Sequence, residues 1–166
     1  MSVIYYDIIP IMALGSAKQV GSLNDLLSTA DFVTLHVPEL EETKNMIGAE
    51  QFSCMKKGSY LINASRGSVV DIPALIEAMK GHIAGAALDV YPKEPASNGH
   101  NFSGIKLGPW VEQLRELENL ILTPHIGGST KEAQSAIGIE VGEALTKYIS
   151  AGSTTGMFAI PYLNCL

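Results

Sequence analysis

Basic residues are scarce in this 166-residue sequence: 11 lysines and arginines stand against 17 aspartates and glutamates, for a net charge of −6. That balance leaves no basic stripe and argues against a nucleic acid as partner. No apolar run approaches the roughly 18 residues that a membrane span needs, so no membrane partner is expected. The opening Met1-Ser-Val-Ile-Tyr-Tyr is apolar but has neither a basic leader nor a small-residue cleavage site. A signal peptide is therefore not expected, and a cytoplasmic location is. Cysteine is limited to Cys54 and Cys165, which have neither metal-ligand nor redox spacing. Two structural thiols in a reducing compartment follow, and no metal site. Internal repeats, low-complexity tracts and a linker that would split the chain are also missing.

What is present is a chain 46% hydrophobic, long enough for one real core and too short for two ordinary domains. Five runs rich in β-branched and aromatic residues recur: Val3 to Tyr6, Phe32 to Val37, Tyr60 to Asn63, Ile83 to Val90 and Leu120 to Thr123. They read as strands, mostly apolar on both faces. Helical signals fall between them, at Ser22 to Leu27, Gly48 to Met55 and Pro73 to Lys80, the last with proline in its first turn. A longer helix follows, capped by Ser129 or Thr130, with Ala133, Ile137, Val141, Ala144, Leu145 and Tyr148 on one apolar face and Gly152 at its end. Ala96 to Pro109 reads as an irregular loop. The alternation predicts an α/β fold, a parallel sheet covered by helices on both faces.

In such sheets ligands gather at the carboxyl ends of the strands. Asp7, His36-Val37-Pro38, Ser65-Arg66, Asp89 and His125 all stand at such ends. Asp7 can accept both hydrogen bonds of an adenosine ribose diol, which favours NAD over a 2'-phosphorylated cofactor; an acid there is also an ordinary turn residue. His36 lines a turn. Arg66, between a buried strand and Gly67, presents a planar fork suited to a carboxylate or carbonyl oxygen, or to a surface ion pair. His125, between Pro124 and Gly127-Gly128, has the pKa range to exchange a proton with a hydroxyl, though a lone histidine there also suits a structural role. In Asp89-Val-Tyr-Pro-Lys-Glu94 one acid ends a strand and a second follows in a stiffened turn. A carboxylate of this pair can orient the imidazole and raise its basicity. Asp89 is the better placed of the two to meet a nicotinamide.

Together these residues resemble the D-isomer-specific 2-hydroxyacid dehydrogenase family. The similarity runs from Tyr5-Tyr-Asp7 to Ile160-Pro161 and includes His36-Val-Pro38, Thr43-Lys-Asn-Met-Ile-Gly48, Ile62-Asn-Ala-Ser-Arg-Gly67, Val70 to Leu75, Ala84 to Val90, Glu94-Pro95 and Thr123 to Thr130. The resemblance implies Arg66 as substrate anchor, His125 as acid/base, Glu94 as its partner and Asp7 as ribose ligand. It implies Ala64, Ser65, Asp89, Gly127 and Gly128 in the NAD pocket, beside His36, Val37, Pro38, Arg66 and His125. A 2-hydroxy acid or 2-oxo acid is the implied small-molecule partner, and a homo-oligomer the implied assembly of the full-length family.

The departures are as informative. The glycine-rich turn, Gly-x-Gly-x-x-Gly, belongs about 20 residues ahead of the ribose acid, and this sequence has none. The family's substrate domain, built largely from its N-terminal segment, is missing as well. The expectation is a Rossmann-type doubly wound sheet lacking its first, central strand and that turn. Residues 1–150 would form the partial NAD-binding domain, and 151–166 a remnant of the connection to the substrate domain. With order 3-2-1-4-5-6, the first two strands would face the other three across a slot roughly 9 to 10 Å wide. Two rival functions stand beside the enzyme: a non-catalytic binding or assembly fragment, and a corepressor on the same fold. Thr43 to Gly48 and Gly152 to Pro161 argue against the corepressor.

Overall fold

The computed structural model describes residues 1–13, 15–94 and 109–154. The chain divides into two compact units, Met1–Ile126 and Gly127–Leu166.

In the first unit, strands β3 (Phe32–Leu35), β4 (Tyr60–Asn63), β5 (Gly85–Leu88) and β6 (Leu120–Leu122) form one parallel sheet in that order. Leu35 pairs with Asn63, Asn63 with Leu88, and Leu88 with Leu122, so the four carboxyl ends are level. Side chains alternate between the faces with period two. Val33, Leu35, Leu61, Ala86 and Leu88 point to one face and are buried with Leu27 of α1 (Leu23–Thr29), Phe52 of α2 (Ala49–Cys54) and Leu75 and Ile76 of α3 (Ile72–Gly81). Leu114 of α4 (Val111–Arg115) joins the same core.

Local chemistry sets the helix starts. The Ser22 side chain accepts the Asp25 amide at 3.1 Å, and the Asp71 carboxylate accepts that of Ala74 at 3.2 Å, with Pro73 in the first turn where no amide is needed. His82, just past α3, lies with Nε2 2.7 Å from the Phe52 carbonyl and ties α3 to α2.

The opposite face differs from the expected two-sided cover. Phe32, Tyr60, Ile62 and Ile121 point there and are exposed. The Phe32 and Tyr60 rings stack with centroids 4.9 Å apart.

Strand β1 (Ile4–Tyr5) pairs in parallel with β2 (Lys18–Gln19), a strand the sequence pattern did not announce. This corrects the predicted strand grouping: Phe32–Leu35 lies beside β4 and not on the side of β1. The break falls between a β1–β2 pair and the four-stranded sheet, with β3 at that sheet's edge. The physical reason is the nature of β2. Two exposed polar residues carry no hydrophobic alternation, and backbone bonds from Lys18 to Val3 and from Val20 to Tyr5 define the strand instead.

The second unit holds α5 (Lys131–Ala151). Thr130 caps it by accepting the Ala133 amide at 3.1 Å, and Gly152 ends it at φ +63. Its apolar residues Ile137, Val141, Leu145 and Tyr148 are exposed. Among the described residues no helix is long and apolar enough to cross a membrane. Cys54 is a free thiol. Cys165, Ile160-Pro161 and, apart from Pro109, the loop predicted from Ala96 lie outside the described residues.

Candidate active site

Strand β4 ends at Asn63, whose buried side chain shapes the turn that follows. Its Oδ1 accepts both the amide and the hydroxyl of Ser65 at 3.1 Å, and its Nδ2 donates to the Arg66 carbonyl at 3.0 Å. The chain then curls into a 3-10 turn over Gly67–Val69. Gly67 is needed there: a Cβ would overlap the backbone of Tyr91. The exposed Arg66 side chain donates from Nη1 to the Ser65 carbonyl at 2.7 Å. Among the described residues it forms no ion pair.

Strand β5 runs out to Asp89. Its Oδ1 accepts the Thr123 hydroxyl at 2.6 Å and the Ile126 amide at 3.0 Å. These two contacts bracket His125, whose backbone is left-handed at φ +53, a conformation that non-glycine residues adopt at a cost. Glu94 and His125 are brought into contact. Glu94 Oε2 lies 2.5 Å from His125 Nδ1, and its Oε1 accepts the Tyr91 amide at 2.6 Å. Both side chains are mostly covered, at 21% and 27% exposure. Donation from Nδ1 puts the lone pair of a neutral ring on Nε2.

Arg66, Glu94 and His125 line one open cleft of about 190 Å³, together with Tyr91 and Glu39. The expected trio therefore meets, although its members come from three different strand ends. Tyr91 is 8% exposed, and its hydroxyl lies 2.9 Å from the Thr123 carbonyl and 3.2 Å from that of Leu88. Burial first, then the Asp89 and Glu94 carboxylates, push its pKa up to about 12, against the lowering effect of the hydrogen bond to Thr123. Asn63, Tyr91, Thr123 and Glu39 were not picked out from sequence. A polar asparagine closing an apolar strand was the one available signal; Tyr91 and Glu39 look like ordinary turn residues.

The other expected residues lie outside this cleft's lining. Asp7, at the end of β1, uses Oδ1 to accept the Ile9 amide at 3.0 Å. His36 Nε2 lies 3.1 Å from the Thr34 hydroxyl, Val37 packs against the core, and the Pro38 carbonyl accepts the Thr43 hydroxyl at 2.7 Å. Ala64 is exposed and Ser65 half-buried beside Arg66. Gly127 and Gly128 belong to the second unit, where the Gly128 carbonyl accepts the Gln134 side-chain amide. The glycine-rich cradle for a dinucleotide's pyrophosphate is absent from this sequence.

A level row of parallel strand ends, an imidazole held by a carboxylate and an arginine in the same cleft define a nucleotide-dependent oxidoreductase domain. The chain belongs to the D-isomer specific 2-hydroxyacid dehydrogenase family, whose NAD binding domain it matches over residues 1–127. D-3-phosphoglycerate dehydrogenase 2 of Saccharomyces cerevisiae is 59% identical over 165 residues, covering 99% of this chain and 35% of that protein. D-3-phosphoglycerate dehydrogenase of Escherichia coli is 53% identical over 165 residues, covering 99% of this chain and 38% of that protein. The chain thus spans little more than a third of the length of these curated relatives. Among solved structures, D-lactate dehydrogenase with NAD+ from Lactobacillus jensenii superposes with a TM-score of 0.72 at 34% identity, covering 87% of this chain and 44% of that one. The fold is the α/β NAD-binding fold of these dehydrogenases, and NAD is the cofactor of the family.

Proposed function

We propose that this chain supplies the catalytic half-site of an NAD-dependent dehydrogenase acting on a 2-hydroxy acid, with 3-phosphoglycerate as substrate in serine biosynthesis, when the rest of such an enzyme is present. The observation that carries the reading is the 2.5 Å contact between His125 Nδ1 and Glu94 Oε2 in the cleft that also holds Arg66. With Nδ1 committed to Glu94, His125 takes the substrate hydroxyl proton on Nε2 in oxidation and returns it in reduction. Glu94 steadies the imidazolium formed on the way. Arg66 pairs with the substrate carboxylate and polarises the C2 oxygen as it becomes a carbonyl. NAD, when bound, supplies the two-electron acceptor. The family resemblance assigns Asp7 to the adenosine ribose hydroxyls, which its carboxylate would accept from, and assigns His36, Val37, Pro38, Ala64, Ser65, Asp89, Gly127 and Gly128 to the cofactor as well. The similarity to proteins named D-3-phosphoglycerate dehydrogenase supports the substrate, and a homo-oligomer is part of the proposal.

A second reading, a binding or assembly module without turnover, is favoured by the exposed apolar side chains of Phe32, Tyr60, Ile62 and Ile121 on one sheet face. One experiment separates the two. Residues 1–166 replace the matching segment of the Saccharomyces cerevisiae relative, and NADH-dependent reduction of 3-phosphohydroxypyruvate is measured. The enzymatic reading expects turnover, with a loss of at least about 10²-fold in His125→Ala. A folded but inactive chimera would favour the module, and a His125→Ala chimera with full turnover would remove His125 from its role.

A further inference from the structure

Tyr91 occupies a place in the site that its role as core filler does not require. Its amide donates to Glu94 Oε1 at 2.6 Å, and that carboxylate holds His125 through its other oxygen. Its hydroxyl reaches across from β5 to the carbonyl of Thr123 at 2.9 Å, two residues ahead of His125, with the Leu88 carbonyl at 3.2 Å. Its backbone rests on Gly67, next to Arg66. One residue is thus in contact with the acid, with the segment that carries the base and with the turn that carries the arginine.

We propose that Tyr91 is a positioning residue for the acid–base pair, its amide aiming the Glu94 carboxylate and its hydroxyl fixing the segment from which His125 projects. The inference rests on the reading of His125 and Glu94 as that pair. The geometry is directional. The Thr123 and Leu88 carbonyls only accept, so toward them the phenol donates. Burial and the neighbouring Asp89 and Glu94 carboxylates keep the proton on the phenol, so the donor persists across the working range of a dehydrogenase. Without the hydroxyl, Thr123 keeps its amide bond to Leu88 and its side-chain bond to Asp89, so the strand survives. What is lost is the hold on the Thr123 carbonyl, two residues ahead of the left-handed turn at His125.

The test uses the 166-residue chain and a readout that a purely structural role would not move. The exchange of the His125 Nδ1 proton with water is followed by nitrogen-edited NMR at a pH where the ring is neutral. Tyr91→Phe, which keeps the ring and the packing, is expected to speed that exchange about fivefold, the effect of one typical hydrogen bond. Glu94→Ala is the reference, since it removes the acceptor itself. Unchanged exchange in Glu94→Ala would overturn the acid–base pairing. Faster exchange in Glu94→Ala with none in Tyr91→Phe would overturn the role of Tyr91 and leave the pairing intact. A Tyr91→Phe chain that melts at a lower temperature with native exchange would likewise leave Tyr91 as packing alone. Should Tyr91→Phe fail to fold, the unsubstituted chain still decides the matter. Its Tyr91 hydroxyl proton must exchange slowly and show a through-space contact to Thr123, and rapid exchange would sink the proposal.

Discussion

The α-carbon of Gly67 lies against the backbone of Tyr91, so the turn that carries Arg66 and the turn that leads to Glu94 meet main chain to main chain. Any side chain at Gly67 overlaps the Tyr91 carbonyl group, and backbone cannot move aside as a flexible side chain can. Gly67→Ala is therefore expected to destabilise the fold by about 3 kcal/mol, at the upper end of ordinary overpacking. A urea midpoint within error of the parent would show that the two turns separate easily.

Asp89 grips both sides of His125. Asp89→Ala removes the acceptor of the Thr123 hydroxyl and of the Ile126 amide at once. A loss of about 1 to 3 kcal/mol is expected, with faster amide exchange at Ile126. Asp89→Asn keeps one carbonyl oxygen and should lose less. Equal effects of the two variants would mean that charge, and not the acceptor, holds the turn.

The raised pKa of Tyr91 makes a statement about alkaline stability. The unfolded chain loses this proton around pH 10, whereas the folded chain keeps it to about 12. Between those values the unfolded state binds fewer protons, so stability is intact below pH 10 and falls as pH rises toward 12. A shift of this size corresponds to a loss on the order of 2 kcal/mol. Urea midpoints at pH 9 and pH 11.5 should drop less in Tyr91→Phe than in the parent. Identical drops would mean the phenol has no special environment.

The exposed apolar side chains of the sheet predict association. Phe32 and Ile121 are 65% and 66% exposed, and β3 is an edge strand among the described residues. An apolar face beside an open edge is a template for pairing with another chain. Phe32→Lys and Ile121→Lys should reduce light scattering at high protein concentration, with stability changed by no more than about 0.5 kcal/mol. Scattering that does not respond would direct attention to the exposed residues of α5.

Much of this was legible in the chain. Tyr60 to Asn63 announced β4 to the residue, because a buried central strand is a short apolar run closed by a polar residue. Pro73 and Gly152 marked the start of α3 and the end of α5 for reasons of backbone geometry alone. Arg66, Glu94 and His125 could be chosen through the family resemblance of their motifs, since each side chain alone has ordinary structural uses at a strand end. β2 could not be seen, since Lys18 and Gln19 become a strand only by pairing with β1. With it went the neighbour of β3, an error of grouping that no local pattern would have exposed. Tyr91 and Asn63 were invisible as site residues for a related reason: their importance lies in hydrogen bonds to backbone that the fold delivers from elsewhere.

The level register of β3 to β6 has one more consequence. Because Leu35, Asn63, Leu88 and Leu122 stand in one row, each following loop starts from the same height and meets its neighbour there, Gly67 against Tyr91 and Asp89 against Thr123 and Ile126. A residue inserted after any of these positions changes the walls of the cleft and leaves the strands in register. A residue inserted before it rotates that strand's whole pattern, sending Asn63 or Leu88 to the wrong side of the sheet. Variation in what the cleft accepts is therefore confined to the few residues beyond the row, and the strands behind it are closed to length change.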